Sequence, residues 1–139
     1  MKILFNNINI QKPVLDLDKI SDWIIFVISD NKKKIKELSI NFCNNEYILE
    51  ANKKYLKHNY YTDIITFDYS EKQYISGDLL ISLEMVQYNA DKYKVTFVNE
   101  LHRIIIHGIL HLLGYNDKTD EQKEIMTQKE NYYLNNLQI

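Results

Sequence analysis

Between Phe97 and Leu113 the sequence reads FVNELHRIIIHGILHLL, apolar on nearly every side of a helix. A helix without a polar face has to lie inside a fold, so the rest of the chain must supply the layers that cover it. The stretch is too short and too interrupted by His, Arg and Glu to cross a membrane, which needs ~20 apolar residues. The apolar run at Ile3-Leu4-Phe5 is likewise too short for a signal-peptide core. A chain of 139 residues, 45% of them hydrophobic, is long enough to bury such a helix without disulfide staples. It has one cysteine, Cys43, which excludes a disulfide framework and a multi-cysteine zinc module and fits a reducing, cytoplasmic setting. With three glycines, one proline and no repeat or Ser/Gly/Pro-rich linker, residues 1–139 are expected to form one domain.

The covering elements follow from periodicity and capping. Met1 to Ile10 alternates as a strand, and Leu17, Ile20, Trp23, Ile24 and Val27 place a helical stripe within Leu15 to Ile28. Leu38, Ile40 and Phe42 share one side of a strand from Ile35 to Phe42. Asn44 caps a helix running to about Leu56. Strands follow at Thr62 to Tyr69 and Tyr74 to Leu83, joined through Ser70-Glu71-Lys72-Gln73 either as a hairpin or by a longer crossover. Ser82 caps a helix through Tyr93, and Thr96 caps the apolar helix. Thr119-Asp120-Glu121-Gln122 has capping-box spacing and starts a last helix to about Leu137, in which Tyr132 and Tyr133 should pack on the core. Lys32-Lys33-Lys34 reads as a positively charged helix C-terminus. Strands and helices mix without strict alternation, so the expected class is α+β: a small mixed β-sheet packed against several helices.

The chemistry concentrates on the apolar helix. His107 and His111 are four residues apart and project from one face. Gly114 follows where a helix C-terminus uses left-handed backbone, and the returning chain delivers Asp117. An HxxxH pair alone also suits two hydrogen-bonded or surface histidines. Glycine and a carboxylate at turn-compatible spacing turn the pattern toward three ligands with a vacant fourth position, as in a catalytic zinc site. His102, five residues before His107, is rotated away and reads as a packed or capping histidine. The spacing to Gly114 and Asp117 is similar to that of metzincin-type zinc proteases, but HExxH peptidases carry their general base directly after the first histidine. Here that position is Gly108. Glycine inside a helix costs ~1 kcal/mol against alanine, so close approach of a substrate or of neighbouring backbone is expected there.

The block His107-Gly108-Ile109-Leu110-His111-Leu112-Leu113-Gly114-Tyr115-Asn116-Asp117 closely resembles the HGxLHLxGYDH signature of the YbeY rRNA-maturation endoribonucleases. Thr62-Asp63-Ile64-Ile65-Thr66-Phe67 is similar to that family's TDVLSF strand, Gly77-Asp78-Leu79-Leu80-Ile81-Ser82 to its GDI-IS strand, and Asn52-Lys53-Lys54-Tyr55 to its NxxY. The resemblance implies a zincin-like metal helix and a single-strand-specific, metal-dependent endoribonuclease. It would act in 3′-end maturation of small-subunit (16S) ribosomal RNA and in ribosome quality control. It also implies one divalent ion, Zn2+ first, on His107, His111 and Asp117, with His107 and His111 as catalytic residues. Implied partners are ribosomal RNA and small-subunit ribosomal proteins or assembly factors, with neither membrane nor DNA. Two positions depart from the family: Asp117 stands where the third histidine falls, with Asn116 before it, and Leu56 stands where the family usually has an arginine. Lys57 and His58 are then the candidate phosphate contacts.

Other residues read two ways. Glu100, seven before His107, suits a favourable charge in the first helical turn better than an acceptor for a histidine ring. Asp63 and Asp78 are either strand-end hydrogen-bonding groups or cleft-lining carboxylates. Lys53, Lys54, Lys57 and His58 beside Tyr55, Tyr60 and Tyr61 form either a solvated helix end or a single-stranded RNA surface. The net charge of −2 argues against binding nucleic acid by bulk attraction. Competing readings are a zinc metallopeptidase and a non-catalytic ribosome-assembly factor with a structural metal.

Overall fold

The computed structural model describes residues 3–137. Its elements are β1 (Ile3–Asn7), α1 (Leu17–Asp30), β2 (Lys34–Cys43), α2 (Asn45–Leu56), β3 (Ile64–Asp68), β4 (Tyr74–Ser82), α3 (Leu83–Tyr93), α4 (Phe97–Leu112) and α5 (Asp120–Asn135). The four strands form one mixed sheet in the order β1-β2-β4-β3. β1 and β4 flank β2 in parallel, and β3 lies antiparallel to β4 at the edge. The β3–β4 connection is therefore a hairpin. Met1 and Lys2, at the start of the expected first strand, lie outside the described residues.

Strand alternation divides the hydrophobic residues between two faces. Leu38, Ile40 and Phe42 of β2 and Leu79 and Ile81 of β4 face the main core with α1, α3, α4 and α5. Leu80, Ile65 and Cys43 meet Ile48 and Ala51 of α2 on the opposite face. The apolar helix α4 is central, with Leu101, Ile105, Ile106, Ile109 and Leu110 fully buried, each contributing about 1.5–3 kcal/mol of transfer free energy. No described helix is both long and apolar enough to cross a membrane.

The helix starts are chemically marked. Asn44, Ser82, Thr96 and Thr119 each accept a backbone N–H from the first turn, and Thr119 with Gln122 completes a reciprocal capping box. Two expectations change. The helix α1 ends at Asp30, with Lys32 in left-handed backbone, so Lys32 and Lys33 form the turn into β2 and Lys34 opens that strand. Of the two α5 tyrosines only Tyr133 enters the core; Tyr132, one residue earlier and ~100° away around the helix, is exposed.

Candidate metal centre

The helix α4 ends in a turn that builds half of the site. Gly114 has φ +101°, its N–H donates to the His111 carbonyl at 3.0 Å, and the Tyr115 N–H donates to the Leu110 carbonyl at 3.0 Å. This is a Schellman closure, in which glycine carries the left-handed residue. It turns the Tyr115 carbonyl toward His111, whose Nδ1 donates to it at 2.9 Å, and brings Asp117 back beneath the histidines. Asp117 Oδ2 lies 3.2 Å from His107 Nε2 and 3.3 Å from His111 Nε2. The two Nε2 atoms are 3.0 Å apart.

These distances suit a cation. A carboxylate oxygen and a peptide carbonyl have no proton to give, so His107 Nδ1, 2.6 Å from Glu130 Oε2, and His111 Nδ1 both act as donors. In neutral rings that leaves two Nε2 lone pairs and a carboxylate oxygen converging without a donor among them. Ligand atoms held tetrahedrally at the usual Zn–N and Zn–O lengths would lie about 3.3 Å apart, close to the triangle found. His107, His111 and Asp117 form a group able to hold a metal ion. For His107, burial lowers the proton affinity, but the Glu130 hydrogen bond and the charges of Glu130, Asp117 and Asp63 outweigh it and raise the pKa. In the absence of a metal, a proton is the competing cation.

Glu130 was not singled out in the sequence, and its role comes from tertiary packing. It is buried on α5, with Oε1 accepting from Arg103 Nη1 at 2.8 Å while Oε2 faces His107. Arg103 Nη2 donates to Asn131 Oδ1 at 2.7 Å. The available signal was a carboxylate at the middle of the i, i+4, i+7 stripe Met126, Glu130, Tyr133, otherwise the buried side of α5. Glu100 is buried as well but makes no hydrogen bond to a histidine. Burial, then Asp63 and Glu130, raise its pKa against the opposing Arg103. His102 packs edge-on to Trp23 at 6.1 Å, and burial lowers its pKa; it is not part of the metal group.

The ligands open into a cleft of about 430 Å3 whose other wall is Leu56, Thr62, Asp63 and the edge strand β3 through Asp68. Asp63 therefore lines the cleft. Burial raises its pKa, opposed by His107 and by hydrogen bonds, among them one from Asn89 Nδ2 at 3.1 Å. Asp78 does not line it: Asp78 accepts from Ser39 Oγ at 2.5 Å in a groove also lined by Tyr47 and Ala51 of α2. Lys57 and His58 do not line it either. Lys57 is the left-handed C-cap of α2, directly after Leu56, and His58 stacks on Tyr60 with its Nδ1 2.9 Å from the phenol oxygen. The nearest neighbours of Gly108 are side chains rather than backbone: a Cβ there would lie 2.8 Å from Ile64 Cδ1 and 2.9 Å from Leu79 Cδ1.

Residues 5–138 match the family model described as Endoribonuclease YbeY. A curated protein of Karelsulcia muelleri with that name is 51% identical over 114 residues, covering 82% of this chain and 81% of its own. One from Parabacteroides distasonis is 50% identical over 134 residues, covering 96% and 94%. The solution structure of a Thermotoga maritima protein shares the fold at a TM-score of 0.68 and 24% identity, covering 98% of this chain and 89% of its own.

Proposed function

The chain belongs to the YbeY endoribonuclease family, and from that premise we propose that it is a metal-dependent endoribonuclease of single-stranded RNA. Its substrate is the precursor 3′ end of small-subunit ribosomal RNA, and it works in the cytoplasm with ribosomal proteins or assembly factors in ribosome maturation and quality control. The observation that carries the reading is the triangle of His107 Nε2, His111 Nε2 and Asp117 Oδ2, with edges of 3.0–3.3 Å, at the head of a cleft. Two imidazoles and one carboxylate suit zinc with one position left open. When bound, the ion supplies the positive charge that the cleft walls lack, polarises a phosphoryl oxygen and lowers the pKa of water.

The chain's own residues do the rest. Glu130 and the Tyr115 carbonyl keep the imidazole protons on Nδ1, so both Nε2 atoms remain free to ligate. The cleft lining includes Asp63, Asp68 and Asp117 but neither lysine nor arginine. Phosphates are therefore drawn from the rim, where Lys57 and His58 contact the RNA backbone, helped by Lys53 and Lys54. The exposed rings of Tyr55, Tyr60 and Tyr61 offer bases a stacking surface. Asp63, whose carboxyl holds its proton more tightly than usual, takes or gives the proton in the cleft. The peptidase alternative lacks its base, and the methyls of Ile64 and Leu79 fill the space a glutamate at Gly108 would need.

His111→Ala should remove zinc binding and RNA cleavage together, while the protein stays folded by circular dichroism. Cleavage that survives in this zinc-free variant refutes the reading. A 2′-deoxy residue at the cut position then reports the attacking oxygen, since only attack by the RNA's own hydroxyl requires that group.

A further inference from the structure

We infer that Glu130, clamped by Arg103, is a positioning residue through which α5 completes the metal centre, fixing His107 in the one ring state that can ligate. The inference rests on the metal reading above and adds to it a residue that contacts neither ion nor substrate. All three ligand groups come from α4 and the turn behind it, so nothing in that segment fixes the His107 ring from the far side. An imidazole has two flip orientations and two neutral tautomers. Only one of the four combinations places a lone pair of Nε2 beside His111 Nε2 and Asp117 Oδ2. A ring flip would set Cδ2 against Glu130 and Cε1 at the ligand triangle. A tautomer change would face a nitrogen lone pair toward a carboxylate 2.6 Å away.

Glu130 can act this way because it cannot turn. One carboxylate oxygen is taken by Arg103 at 2.8 Å and the other by His107, while the same guanidinium holds the neighbouring Asn131. The helix α5 is fixed independently of α4: Trp23 Nε1 donates to the Tyr133 carbonyl at 2.9 Å and the Tyr133 hydroxyl donates to Asp30 Oδ2 at 2.7 Å. This also gives the chain's only arginine a task, charge and orientation of Glu130, that removes it from phosphate binding.

The test measures zinc affinity by chelator competition on the full chain, and histidine tautomers by nitrogen NMR on zinc-free protein at alkaline pH. It compares wild type, Glu130→Ala, Glu130→Gln and Arg103→Ala, with His111→Ala as the site-ablated control. Wild type should show His107 protonated on Nδ1. Glu130→Ala should bind zinc about 10- to 100-fold more weakly, the range for loss of a carboxylate behind a ligating histidine, and show mixed tautomers. Glu130→Gln keeps an oxygen acceptor without the charge and should fall between; it gives the same comparison if the alanine variant fails to fold. Arg103→Ala should lose less than Glu130→Ala. Wild-type zinc binding with both Glu130 variants within twofold of it and the Nδ1 signal unchanged overturns the inference and leaves the metal site standing. A wild type that binds no zinc overturns the metal reading and this inference with it.

Discussion

Gly108→Ala tests why the metal helix carries a glycine in its interior. On helix propensity alone the substitution should stabilise by ~1 kcal/mol. The structure predicts the opposite sign. The new methyl would stand 2.8 Å from Ile64 Cδ1 and 2.9 and 3.0 Å from the two Leu79 methyls, against an ordinary carbon contact of about 3.5–4.0 Å. Ile64 is half-buried and can rotate, but Leu79 is fully enclosed, so α4 must lift from the sheet by about half an ångström. Overpacking costs about 1–3 kcal/mol. With Ile64 and the enclosed Leu79 both displaced, the upper part of that range, about 2–3 kcal/mol, applies. After the propensity gain this leaves a net loss of about 1–2 kcal/mol, or roughly 3–8 °C in Tm at this chain length. The measurement is urea unfolding with excess chelator, so that zinc linkage does not mask the change. Zinc affinity should stay within about threefold, because His107, His111 and the turn bearing Asp117 move as one body with α4. RNA cleavage should fall further, because β3, the facing wall, stays behind. A variant as stable as wild type would refute the packing account of Gly108.

Leu56→Arg places a guanidinium on the cleft wall and should tighten single-stranded RNA binding several-fold, with the log–log salt slope steeper by about 0.7; an unchanged slope means position 56 does not reach phosphate. Asp63→Asn should cut cleavage about 100-fold or more, the usual worth of a positioned acid or base, with zinc affinity within a few-fold; undiminished cleavage removes Asp63 from proton transfer. Stability of the zinc-free protein should fall as pH rises above about 6.5. His107 binds its proton more tightly folded than unfolded, so its contribution is complete below the unfolded value and lost as pH climbs through the folded one. Asp63 and Glu100, also raised, carry the same sign. Zinc must displace the His107 proton, so the Tm gain on adding zinc should grow over the same range; thermal melts with and without chelator show both trends, and a zinc-free Tm that rises with pH contradicts them.

What was legible in the sequence was mostly local. A cap is decided by one side chain and the amides two or three residues on, and Asn44, Ser82, Thr96 and Thr119 all cap where the spacing put them. The sheet order is a different kind of information: β1 lies beside β2 and β4 on its far side through contacts between distant segments. Tyr132 and Tyr133 show the same limit, because neighbouring aromatics on a weakly amphipathic helix do not declare which of them the core will take.

The metal group obeys the same division. Its three ligands lie within eleven residues, so helix pitch and a glycine turn suffice to bring them together. The carboxylate behind His107 does not. Seven residues of helix put Glu100 on the His107 face but about 10 Å away along the axis, too far to touch the ring. The same face then needs an acceptor from another element, and α5 supplies it in Glu130. That solution commits Arg103, and the α2 residue on the cleft wall is Leu56. The result is a cleft lining without lysine or arginine and a half-exposed Arg103 held to Glu130 behind His107. Supplying a cation at Leu56 should therefore alter RNA binding and leave zinc affinity alone, whereas removing Arg103 should do the reverse. Crossed effects between those two variants would show that the inner and outer charges are not separate systems.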